Sequence, residues 1–99
     1  MKAKTIQAFA GDSIMLQVAV YDDRNQAFDL VDNKIQTARF EVIGADIAED
    51  GVMISNTVHF MVGAEKTKAG SFPYRVVLLG DGLKFTVAYG TLNVMRVSE

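Results

Sequence analysis

Over several stretches of this chain, apolar side chains recur at every second residue. From Ser13 to Tyr21, Ile14, Leu16, Val18 and Val20 share one side, and Met15, Gln17, Ala19 and Tyr21 the other. From Thr57 to Val62, Val58, Phe60 and Val62 alternate with Thr57, His59 and Met61. From Ser71 to Leu79, Phe72, Tyr74, Val76 and Leu78 alternate with Pro73, Arg75, Val77 and Leu79. A period of two is the geometry of a strand with one face toward a core, and no helix can satisfy it. No long stretch carries the 3.6-residue period, so the chain is constrained to an all-β fold.

Turn residues separate these runs. Gly11-Asp12 ends a first strand, Asp22-Asp23-Arg24-Asn25-Gln26 follows the second, and Gly80-Asp81-Gly82 closes a tight hairpin. Glu49-Asp50-Gly51 and Ser55-Asn56 bracket a short strand, and residues 63–70 form a polar connection with room for one helical turn. The spacing predicts about seven strands: A (4–10), B (13–21), C (38–43), D (52–54), E (57–62), F (71–79) and G (83–97). Two phase breaks predict irregularities. One is a bulge or strand start between Ile35 and Ala38. The other is a bulge at Gly90, because Leu83, Phe85, Val87 and Tyr89 share a phase that Leu92 and Val94 do not.

Strands of this number and spacing predict an immunoglobulin-like β-sandwich of antiparallel strands, with A, B, E and D in one sheet and C, F and G in the other. A small β-barrel is the structural alternative. The 99 residues read as one domain, 1–99, without repeat or linker. A chain of 10.8 kDa exposes about 5,500 Å² folded against about 15,700 Å² unfolded, enough burial for a core without a staple. Cysteine is absent, which excludes a disulfide, a thiol nucleophile and cysteine-ligated zinc. The expected core includes Val18, Phe60, Tyr74, Val76 and Phe85.

Composition narrows function by exclusion. The net charge of −2 is the wrong sign for gripping a nucleic-acid backbone. No apolar run reaches the length of a membrane-spanning helix, and the segment from Met1 to Ile6 lacks the pattern of a secretory signal. The one histidine, His59, has no partner in the pattern with which to build a triad or a metal site. Asp22, Asp23, Asp29 and Asp32 lie within eleven residues, but they lack calcium-loop spacing and read as solvated turns. No nucleophile–base or acid–base pair can be assembled, so the expectation is a protein that is not an enzyme and uses no cofactor or metal. Pooling the outward residues of strands B and E suggests a protein-contact surface of Met15, Ala19, Tyr21, His59 and Met61, with Gln17 and Thr57 as polar members. Methionine and tyrosine suit interface cores.

The second half carries a resemblance. Gly70 and Tyr74 open an alternating strand, and Gly90-Thr91-Leu92 followed by Val94 closes the last one. Gly11-Asp12-Ser13 and Phe28-Asp29-Leu30 leading into Ala38-Arg39-Phe40 continue the pattern upstream. Together they resemble the immunoglobulin-like domain at the N-terminus of phage baseplate upper proteins and related tail-fibre modules. The chain departs from that pattern at Val31-Asp32-Asn33-Lys34. The resemblance implies a virion structural or adaptor protein of the baseplate, tail, neck or fibre, present in the host cytoplasm before assembly. Its implied partners are other virion proteins, with self-association open. A carbohydrate-binding or adhesin-like module is the alternative that the same architecture supports.

Overall fold

The computed structural model describes residues 3–96, as eight strands and one 3₁₀ turn. The strands are β1 (Lys4–Phe9), β2 (Ile14–Ala19), β3 (Ile35–Val42), β4 (Ile47–Asp50), β5 (Val52–Ile54), β6 (Thr57–Val62), β7 (Gly70–Gly80) and β8 (Leu83–Met95). They form a β-sandwich. One sheet has the order β1-β8-β7-β3-β4 and the other β2-β6-β5. The inner faces meet over Phe40, Phe60 and Tyr74. The ring of Phe40 lies 5.9 Å from that of Phe60 and 5.6 Å from that of Tyr74, both tilted. Ile14, Ala38, Val58, Val62, Val76, Leu78 and Leu92 complete the buried centre. The 3₁₀ turn, Ala64–Lys66, occupies the polar connection that had room for it. Residue 97, the end of expected strand G, lies outside the described residues.

Four expectations are corrected. First, β1 does not join β2. It crosses to the other sheet and pairs in parallel with β8, Lys4 opposite Gly90 and Phe9 opposite Met95. Gly11, at φ +87°, takes the left-handed conformation that reverses the chain between the two sheets.

Second, Glu49-Asp50-Gly51 is not a turn. The chain runs straight through it, leaving the large sheet as β4 and entering the small one as β5. Gly51 is the crossing point, because a Cβ there would sit 2.4 Å from Val58 and 2.7 Å from Phe60. The acidic residues have partners that sequence cannot show. Asp50 bonds Arg39 at 3.2 Å across the β3–β4 pair, and Glu49 accepts from Lys66 of the 3₁₀ turn.

Third, the irregularity in the last strand is at Val87, not Gly90. Val76 pairs with Ala88 and Val77 with Thr86, leaving Val87 as the extra residue. Gly90 remains in register with Tyr74 and is required for another reason: a Cβ there would fall 1.8 Å from the carbonyl oxygen of Lys4. The bulge sends Ala88 inward. Tyr89 joins Arg75 on the outer face, and Phe85 is left 46 % exposed at the hairpin end rather than in the core. The bulge expected near Ile35 lies between Ile35 and Thr37, within β3.

Fourth, Val77 is buried although it faces outward, at 1 % exposure against 0 % for Val76. It sits between Arg39 of β3 and Thr86 of β8 in the pairing. Long arginine stems cover apolar surface while their heads remain in water, and Arg75 and Arg39 flank this position.

Candidate functional site: the outer face of the three-stranded sheet

Residues of β2, β6 and β5 alternate in and out, and pairing fixes which outward residues meet. Met15 lies opposite Met61, Gln17 opposite His59, and Ala19 opposite Thr57. On the far side of β6, Val52 lies opposite His59 and Ile54 opposite Thr57. The structure therefore brings Met15, Ala19, His59 and Met61 onto one surface. Exposure there is high: 83 % for Met15 and 64 % each for Met61 and Val52. His59 is exposed, and its cross-strand neighbours are Gln17 and Val52, with no carboxylate among them.

Tyr21 continues past Ala19, with which it lines a shallow hollow near Asn25 and Thr86. It lies beyond the end of β2, bridged to Ala27, and lines a hollow of about 210 Å³ with Phe28, Leu78, Phe85 and Val87. Val52 and Ile54 join this surface beyond the residues that β2 and β6 supply. Their alternation was legible, but only the β5–β6 pairing shows that their free side continues the methionine surface.

Apart from His59, no ionisable side chain projects from the strands of this face. The outer face of the five-stranded sheet differs. It carries the Arg39–Asp50 pair at 3.2 Å and the Arg75–Glu41 pair at 3.3 Å, both partly exposed. Exposed pairs of this kind add little stability and suit contact with water. One sheet thus presents a charged exterior and the other an uncharged, largely apolar one.

Edges repeat the contrast. β4 ends in Glu49 and Asp50, β5 has three residues, and β1 begins with Lys4. Among the described residues β2 pairs with β6 on one side only, and its sequence, Ile-Met-Leu-Gln-Val-Ala, holds no charge and no proline. Charges, prolines and shortness are the usual protections of a sheet edge against pairing with another chain, and β2 has none of them.

Behind this edge the sandwich gapes. A cleft of about 240 Å³ separates Leu16 and Val18 of β2 from Ile6, Val76 and Val87 on the large sheet. On β6 the inward residues Val58, Phe60 and Val62 are buried, whereas Leu16 and Val18 on β2 are only half-buried.

The acidic segment after β2 is a pair of side-chain-closed turns. The Asp22 carboxylate accepts from the backbone N–H of Arg24 and of Gln26, both at 2.9 Å, and Asp29 accepts from Asp32 at 2.9 Å. Leu30, inside the second turn, is fully buried, with its N–H donated to the carbonyl of Ser55. Among the described residues, no three His, Cys, Asp or Glu side chains converge as metal ligands would.

Compared with known proteins, the chain matches no family model and no curated protein.

Proposed function

We propose that this protein is a structural or adaptor module that acts through protein–protein contact, of the kind that its resemblance assigns to a phage virion. The observation that carries the reading is the uncharged outer face of the three-stranded sheet. There Met15, Met61, Val52 and Ile54 are exposed together, while the opposite sheet keeps its ion pairs in water. Apolar residues, methionine in particular, at the centre of a surface depleted of charge are the composition of an interface core. Contiguous exposed apolar patches on a small protein mark contact sites.

Incorporation into particles tests the reading. A phage lacking the gene is complemented with the wild-type chain or with Val52→Glu/Met61→Glu, and purified virions are analysed by mass spectrometry. The wild-type chain is expected in the particles. The double variant, with an unchanged thermal unfolding curve, is expected to be missing from them. Absence of the wild-type chain from the particles would overturn the virion assignment.

The hollow beside the β7–β8 hairpin favours a second reading, carbohydrate binding. The exposed rings of Tyr21 and Phe85 line it together, as a sugar-stacking platform requires. Its other walls, Val20, Phe28, Leu78 and Val87, are apolar, with Thr86 the one further hydroxyl. Sugars need convergent polar groups, so the protein-contact reading stands first. Glycan titration of the wild type and Tyr21→Ala, followed by chemical-shift changes at residues 20–28 and 83–88, discriminates the two.

A further inference from the structure

We infer that the free edge of β2 pairs with β2 of a second copy of this chain, antiparallel and centred on Gln17, so that the two small sheets become one. The contact lies at the edge of the small sheet, beside the outer face proposed above, and goes beyond that reading.

The backbone is prepared for it. Val20 donates its N–H to Asn56 on the β6 side at 2.8 Å, continuing the β2–β6 register. Antiparallel strands direct alternate residues to alternate edges. The N–H and C=O groups of Met15, Gln17 and Ala19 therefore point away from β6, toward the open edge. Unsatisfied ladder groups on an unprotected edge are a template for another strand.

The sequence of the edge selects its own copy. Directly opposed residues of an antiparallel pair must share a face, and a two-fold axis through Gln17 meets that condition. On the outer face Met15 then meets Ala19 of the second copy. On the inner face Leu16 meets Val18, and Ile14 meets Val20. Every pair is apolar except one, Gln17 against its own equivalent. A primary amide carries both donors and an acceptor, so two glutamines satisfy each other without a charged partner. No other arrangement of this uncharged strand pairs its single polar residue so simply.

Packing supports the same occupant. Leu16 and Val18 face the core yet are only partly buried, and both line the cleft between β2 and the large sheet. A second copy brings its own Val18 and Leu16 against them and covers that flank. A six-residue strand is about 20 Å long, which with its flanking side chains buries roughly 400 Å² per partner. That is about half of a standard stable interface, so the association is reversible and concentration-dependent.

Charge exchange at the two-fold axis tests the inference. Sedimentation velocity of the full chain over a concentration series is expected to show a monomer–dimer equilibrium. In the dimer, amide exchange is slowed at Met15, Gln17 and Ala19. Gln17→Glu alone and Gln17→Lys alone each bring like charges together and are expected to weaken the dimer by roughly a hundredfold. At concentrations where the wild type is monomeric, both variants keep its unfolding curve, because Gln17 is exposed in the monomer. An equimolar mixture of the two is expected to restore a dimer. A monomeric wild type at every concentration overturns the inference, as does a dimer indifferent to both single variants. A mixture that fails to associate overturns the pairing at Gln17. None of these outcomes touches the assignment of the outer face, which the Val52→Glu/Met61→Glu variant tests away from the edge.

Discussion

The hydroxyl of Tyr74 donates a hydrogen bond of 2.8 Å to the main-chain carbonyl of Lys4, seventy positions earlier in the chain. That carbonyl also passes over Gly90, where only the lack of a side chain gives it room. With the Ala10 to Met95 bond at the other end, 2.8 Å long, this fastens β1 in parallel beside β8.

Tyr74→Phe removes the hydroxyl and retains the ring beside Phe40. The expected loss is about 1 kcal/mol, the net worth of one hydrogen bond, measured by denaturant unfolding. The pH dependence follows from the direction of the tyrosine shift. Burial raises the Tyr74 pKa above its ordinary 10.0, so the unfolded chain loses this proton first. Stability is complete below pH 10 and falls as pH rises through the folded-state value. Tyr74→Phe should flatten that alkaline decline. An unaltered slope would mean that Tyr74 is not responsible for it.

Gly90→Ala puts a methyl group where Lys4 passes. Backbone must move, since the conflict is with a main-chain oxygen and not with a flexible side chain. The expected outcome is release of β1 at a cost of about 3 kcal/mol, near the upper end for overpacking. Amide exchange should accelerate over Lys4–Phe9, while β3 and β7 keep their protection. Uniform acceleration across the molecule would show instead that β1 unfolds with the core.

Val76→Ala and Val77→Ala should be about equally harmful, near 2 kcal/mol each, because both side chains are buried. Strand alternation alone would make Val77 the milder change. Thermal unfolding of the two variants measures this directly. A clearly smaller effect at Val77 would mean that the arginine stems do not seal it.

Chelator should leave the unfolding curve unchanged. Asp22 and Asp29 already accept backbone N–H groups within their own turns. Asp22→Ala should cost roughly 1 kcal/mol through loss of those bonds, with or without added calcium. A curve that shifts by many degrees on adding chelator would assign the segment to a metal.

Alternation by itself determined the elements, because a side chain's inward or outward direction is a local property of the strand. β2, β6, β7 and the Asp81-Gly82 hairpin stand where the period of two puts them, and Met15 and Met61 face out for the same reason. Tertiary structure decided what local pattern cannot carry: which edge each strand joins. β1 went to β8 because Gly90 and Tyr74 receive the Lys4 carbonyl. β4 became a strand because it pairs with β3 and buries Ile47, with the carboxylates of Glu49 and Asp50 finding Lys66 and Arg39 outside. Val87 took the bulge, which turned Ala88 inward and Tyr89 to the surface. The contact face shows the division most clearly. Outward direction was written in β2 and β6 separately, but only the β5–β6 pairing set Val52 and Ile54 beside the methionines. The free edge of β2 exists because β1, the neighbour expected from chain order, is hydrogen-bonded elsewhere.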